Sequence, residues 1–138
     1  MVLEMNHKAT VNGGHFGNVN AAIAGRSTFK NSVIDNLVLM PVPREDWSAE
    51  IDHGVNLTGK TRVNTLIITE PEFVAQEMDG VNRPLVTLSD NASINRMEIY
   101  GDPRMFEPAW ISGANVKEVQ IEGEEPMDYA AFLAFIGK

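Results

Sequence analysis

Carboxylates and aromatic rings fall close together at several places in this 138-residue chain. Asp46, Trp47, Glu50 and Asp52 share one stretch, Phe73 lies among Glu70, Glu72 and Glu77, and Phe106 and Trp110 flank Glu107. That company suits a carbohydrate surface, because a ring face takes the C–H groups of a sugar and a carboxylate accepts from its hydroxyls. Trp47, Asp46, Glu50, Asp52, Phe73, Phe106 and Trp110 are therefore the candidates for contacting a glycan or a protein partner. The same residues also fit a plainer role, with the rings tucked over a core and the acids keeping the surface soluble.

Catalysis asks for sharper constellations. A glycoside hydrolase needs two carboxylates roughly 5–9.5 Å apart. Asp46, Glu50 and Asp52 share a loop, whereas Asp35 and Glu98 fall in different rows of the pattern described below. A lyase needs a base beside a cation that neutralises a uronate, and Arg62 and Arg96 are the candidates. His7, His15 and His53 are dispersed and form no metal pair at helical spacing. Gly13, Gly14 and Gly17 are not followed by the Lys-Ser/Thr of a phosphate loop. With no cysteine, thiolate metal sites and cysteine nucleophiles are excluded. The expectation leans away from an enzyme, and no cofactor or metal is expected.

Charge narrows the partners. Nineteen acidic against eleven basic residues give a net charge of −8, and no basic run appears. A nucleic-acid partner is not expected, since phosphate binding relies on clustered Lys and Arg. No apolar run approaches the ~18 residues of a membrane span, so no membrane is expected. Met1–His7 lacks a charged-then-apolar leader pattern.

The elements that would position these residues announce themselves as a repeat. MNHKATV, LTGKTRV, LSDNASI and WISGANV each open and close on apolar residues around five mostly small or polar ones. Past the closing residue, apolar side chains recur three and five places on. Ile34 is followed by Leu37 and Leu39, Val63 by Leu66 and Ile68, Ile94 by Met97 and Ile99, and Val116 by Val119 and Ile121. Val11, with Gly14 and Phe16, begins a weaker copy. Self-similarity at 20–50 residues is the signature of stacked repeats. Positions three and five share one face of a strand, but the anchor lies at an odd offset from them. Each unit therefore reads as a strand, a two-residue corner and a second strand, with Asn or Asp supplying a left-handed corner. Stacking would bring Asp35, Asn64 and Asn95 into a polar ladder.

These features, carried by FKNSVIDNLVL (29–39), RPLVTLSDNASINRMEIYG (83–101) and SGANVKEVQIEG (112–123), resemble the right-handed parallel β-helix of pectin-lyase-like proteins and phage tailspikes. The resemblance implies one all-β solenoid domain over 1–138. It would have about five coils across 5–123 and a short helical cap within 124–138, where MDYAAFLAFI is apolar and helix-forming. The N-terminal end shows no comparable cap. A leucine-rich repeat is the alternative, because V-x-x-L-x-I also matches its strand. The β-helix resemblance implies a structural or binding module. Such a module would be a spike, tail or decoration protein of a virion, or an extracellular protein, with the cytoplasm left open. It would associate with itself or with other virion proteins and touch a polysaccharide. The alternative it implies is a polysaccharide-degrading enzyme.

Overall fold

The computed structural model describes residues 2–5, 10–22, 26–40, 54–77, 84–113 and 115–138. Among these residues, twelve strands form two sheets. The seven-stranded sheet holds β1 (Val2–Met5), β3 (His15–Ala22), β5 (Val33–Met40), β7 (Arg62–Ile68), β9 (Ser93–Ile99), β11 (Val116–Ile121) and β12 (Met127–Asp128), in that spatial order. The five-stranded sheet holds β2 (Thr10–Asn12), β4 (Arg26–Lys30), β6 (Gly54–Thr58), β8 (Val86–Leu88) and β10 (Ile111–Ser112). From β1 to β11 the chain alternates between the sheets, and all strand pairs are parallel except β11 with β12.

The apolar repeat is what sets the register. Phe16, Ile34, Val63, Ile94 and Val116 lie opposite one another on successive strands, as do Val19, Leu37, Leu66, Met97 and Val119. Leu39, Ile68, Ile99 and Ile121 make a third column. The five-stranded sheet answers with Phe29, Leu57 and Leu88 in one column and Val55, Val86 and Ile111 in another. Apart from Phe16, which is half-buried, every one of these side chains is buried. A one-residue slip would turn each column to the other face, so the register is strongly specified. The first column corrects the anchor set. Val11 sits in the other sheet, opposite Phe29, and Phe16 occupies the place expected for it.

The corners also lie elsewhere than expected. β5, β7, β9 and β11 run unbroken through Asp35, Asn64, Asn95 and Lys117. Among the described residues, the only non-glycine residues with positive φ are Asn31 (53°) and Asp90 (57°). Both lie where the chain crosses from the five-stranded sheet to the seven-stranded one. These crossings stack on each other. The Asn31 carboxamide accepts from the Lys60 N–H (2.9 Å) and the Asp90 carboxylate from the Gly59 N–H (3.1 Å). The buried Thr61 hydroxyl donates to the Phe29 carbonyl (3.0 Å) and accepts from the Ser32 N–H (3.2 Å). Gly59, at φ +64°, leaves no room for a Cβ, which would stand 2.4 Å from Asn31 Oδ1. Gly113, at φ +96°, would bring one to 2.3 Å from the Leu88 carbonyl oxygen.

Excursions follow the strands of the seven-stranded sheet. Helix α1 (Pro71–Glu77) comes after β7, 3-10 turns at Pro103–Met105 and Pro108–Trp110 come after β9, and β12 leads into helix α2 (Tyr129–Phe135) after β11. Thr69-Glu70-Pro71-Glu72 has the form of a capping box, yet the Glu72 carboxylate accepts from the Asp102 N–H of the neighbouring excursion. Gly80, a residue of the kind that ends a helix, lies outside the described residues. α2 starts on an Asp128 cap, whose carboxylate accepts from the Ala131 N–H at 2.6 Å. It buries Phe132 and is followed by the buried Ile136. The Lys138 ammonium donates to the carbonyls of Arg104 (2.9 Å) and Phe106 (3.0 Å) and pairs with Glu107 (2.6 Å).

This architecture corrects the all-β, five-coil parallel β-helix and, with it, the resemblance to pectin-lyase-like proteins and tailspikes. The fold is mixed and α/β-like. Among the described residues it has two sheets, one made mixed by its antiparallel β12, and two helices. Among the described residues no further face closes the strands into complete coils. The reason is that an apolar period reports which residues point inward and how strands stack, but not how the chain returns between them. The leucine-rich alternative does not describe this arrangement either, because each repeat contributes a strand to both sheets.

Candidate functional site

Of the seven residues singled out for ligand contact, Asp46, Trp47, Glu50 and Asp52 lie outside the described residues. Phe73 is half-buried on α1. Phe106 and Trp110 are brought together, but inside: they are 0% and 4% exposed. Phe106 meets Trp110, Tyr129 and Phe132 edge-on, with ring centroids 5.4, 6.3 and 5.5 Å away. Their rings pack the end of the core, where fully burying one large apolar side chain stabilises by about 1.5–3 kcal/mol. A ring enclosed in this way offers no face to a sugar.

The outer face of the seven-stranded sheet carries a different array. Alternation turns the residues between the second and third buried columns outward, and the two residues between the first and second columns also reach solvent. At Asp35, Asn64 and Asn95 the alternation is interrupted, since the buried columns on either side stand three residues apart. The backbone register passes from Ile34–Val63–Ile94 directly to Asn36–Thr65–Arg96. Side chains join the strands at the row it passes over. The Asn64 amide donates to Asp35 Oδ1 (2.9 Å) and the Asn95 amide to Asn64 Oδ1 (3.2 Å). Gly17 holds the same place on β3 and has no side chain. His15, two residues earlier, reaches Asp35 Oδ1 instead, at 2.9 Å through Nε2. The result is a hydrogen-bonded line across β3, β5, β7 and β9.

A second row lies beside it: Asn18, Asn36, Thr65, Arg96 and Glu118. The Asn36 amide donates to Asn18 Oδ1 (2.9 Å), and the Arg96 guanidinium pairs with Glu118 (2.8 Å). A third row holds Asn20, Val38, Ile67, Glu98 and Gln120. Val38 and Ile67 are adjacent and half-buried, which makes a small apolar patch within polar surroundings. Two residues beyond Glu98, the Tyr100 ring is 43% exposed, and its hydroxyl donates to Glu98 Oε2 at 3.3 Å. Here an aromatic ring does stand beside a carboxylate in solvent.

The titration shifts follow from these contacts. The His15 hydrogen bond leads in holding the Asp35 carboxyl below its ordinary value, with Asn64 adding in the same direction. The hydrogen bond and charge of Glu118 raise the Arg96 guanidinium. Desolvation, then the charge and hydrogen bond of Glu98, raise the Tyr100 phenol.

These relations bear on the catalytic candidates. Asp35 and Glu98 lie two strands and three residues apart, roughly 14 Å by strand spacing and rise. That exceeds the reach of a carboxylate pair acting on one glycosidic bond. Arg96 is more firmly protonated than a free guanidinium, the wrong direction for a lyase base. Arg62 is exposed at the start of β7, in the row of Val33 and Ser93. Among the described residues, no cluster of three or more His, Asp or Glu is placed to hold a metal ion. Among them too, no helix is long and apolar enough to cross a membrane.

Sequence reasoning singled out Asp35, Asn64 and Asn95 as a ladder but passed over Tyr100. The period-two offset of Arg96 and Glu98 on β9 and of Tyr100 just past its end was the signal that would have found it. Comparison with family models, curated proteins and solved structures finds no match to this chain.

Proposed function

We propose that this chain is a binding module whose recognition surface is the outer face of the seven-stranded sheet and whose ligand is a neutral polysaccharide. The observation that carries the reading is the unbroken side-chain line His15–Asp35–Asn64–Asn95, flanked by a second polar row and by the exposed Tyr100–Glu98 pair. Hydrogen bonds along the line fix the planar amide and carboxylate groups at the strand spacing of about 4.8 Å. Each keeps donor or acceptor capacity toward solvent. A preorganised set of this kind avoids the ordering cost that free side chains incur on binding a flexible polyol. Tyr100 offers a ring face to sugar C–H groups, and Glu98, already oriented by the phenol, accepts from hydroxyls. The net charge of −8, with Asp35, Glu98 and Glu118 on this face, disfavours acidic chains.

Affinity electrophoresis or calorimetry against a panel of neutral and acidic polysaccharides tests this. A neutral polymer is expected to bind. Tyr100→Ala and Asn95→Ala should each weaken it about tenfold, the loss of one stacking or hydrogen-bonding contact. Unchanged melting of both variants would locate the effect at the surface. Absence of binding to every member of the panel, or binding that neither substitution alters, would overturn the reading.

A further inference from the structure

Three basic residues of this acidic chain meet at one corner. Where the chain crosses from the five-stranded sheet to the seven-stranded one, Lys30 ends β4, Lys60 lies in the turn after β6 and Arg62 opens β7. All three are exposed. The crossings from β4 to β5 and from β6 to β7 are described throughout, and they stack. The Lys60 N–H donates to Asn31 Oδ1 (2.9 Å), the Arg62 N–H to the Ser32 carbonyl (2.9 Å) and the Asn31 N–H to the Thr58 carbonyl (3.3 Å). These bonds fix the backbone beneath the three bases. Strand spacing then puts their Cα atoms within roughly 10 Å of one another, close enough for the long side chains to meet over the corner. Among the described residues the side-chain ion pairs are His15–Asp35, Arg96–Glu118 and Lys138–Glu107, which leaves these three bases to the corner. Asp90 is the one acid on the described crossings, and its carboxylate accepts from the Gly59 N–H (3.1 Å). Asp35, just inside the corner on β5, is taken up by His15 and Asn64. Like charges held this close repel and contribute nothing to folding. A local arrangement that costs stability marks a functional place.

We infer that this corner binds a ligand carrying phosphate groups, held by Arg62, Lys60 and Lys30. The Arg62 guanidinium presents a planar fork that takes two oxygens of a tetrahedral oxyanion, and the two lysine ammonium groups are point charges on flexible stems that close on the rest. The Asn31 carboxamide gives its oxygen to Lys60, which leaves its NH2 group as a further donor beside them. Three cations in so small a space match an anion of more than one charge. Phosphate meets that requirement and a lone carboxylate does not. An inorganic oligophosphate and a phosphate-substituted polymer present the same oxyanion, and titration separates the two sources. The corner stands at the start of β7, whereas the Tyr100–Glu98 pair stands at the far end of β9, so the inference does not rest on the binding of a neutral polysaccharide.

Calorimetric titration of the 138-residue chain at fixed ionic strength tests the inference. The probes are sodium tripolyphosphate, inorganic phosphate, and a phosphate-substituted polysaccharide beside its dephosphorylated form. Tripolyphosphate is expected to bind once per chain and more tightly than phosphate. Lys60→Gln and Arg62→Gln should each weaken it about fivefold, the loss of one exposed ionic contact. Asp90→Asn should tighten it, because the amide oxygen still accepts from the Gly59 N–H while the one opposing charge is gone. Arg104→Gln removes the same charge from an exposed turn after β9 and should leave binding unchanged. Unchanged melting of these exposed variants shows that each folds. A preference for the phosphate-substituted polysaccharide over its dephosphorylated form supports the site with a polymer as source, and tripolyphosphate binding without that preference supports it with a free oligophosphate. Absence of binding by all the phosphate probes, binding that Lys60→Gln and Arg62→Gln leave unaltered, or an equal loss in Arg104→Gln would each overturn it. The tripolyphosphate titration contains no sugar, so its failure is distinct from a failure of glycan binding.

Discussion

Asp35 shows how much one residue does in this fold. Its carboxylate accepts from His15 on one side and Asn64 on the other, and both partners favour the charged form. The sign of the resulting pH dependence follows. A carboxyl whose folded value lies below its unfolded value of 3.8 contributes stability above that value. The contribution is lost as pH falls through the lower folded value. Denaturant titrations should therefore show a loss of stability in the wild type below pH 3.8 that Asp35→Asn lacks. An identical acid limb in the two proteins would show that the pair with His15 does not persist in solution. This row was legible in the sequence because Asp, Asn and Asn recur one place after an apolar anchor. The His15 partnership was not. It depends on Gly17 leaving the row empty, which only the register reveals.

At the scale of elements, the apolar columns could be read and the turns could not. Ile34, Val63, Ile94 and Val116 do stack, because their period reflects burial on one face of a parallel sheet. The same period is silent about direction changes. Asn64 and Asn95, expected at left-handed corners, lie inside strands, while Asn31 and Asp90 turn the chain. An Asn next to an apolar anchor fits a turn, or a ladder within a strand, equally well. The aromatic residues misled for a related reason. Phe106 and Trp110 sit in an irregular, Pro-rich excursion that looks exposed, yet they fill the end of the core together with α2. In that cluster the Tyr129 hydroxyl is buried with no hydrogen-bond partner among the described residues, and desolvation raises its phenol. Tyr129→Phe removes an unsatisfied polar atom without changing the ring. It should leave stability unchanged or raise it by up to about 1 kcal/mol, as read by urea unfolding. A loss of that size would mean that the hydroxyl has a partner in solution.

For the whole molecule, two sheets, parallel but for β12, divide the labour. Their inner faces make one apolar core, and the outer face of the larger sheet holds polar groups in fixed rows. Chemical-shift mapping of isotope-labelled protein with the polysaccharide that binds it most tightly is the most direct check. The account predicts that the side-chain amides of Asn36, Asn64 and Asn95 and the backbone of β5, β7 and β9 shift together, with Tyr100 among the most affected. Shifts confined to the five-stranded sheet or to the α2 end, with these amides unmoved, would contradict it.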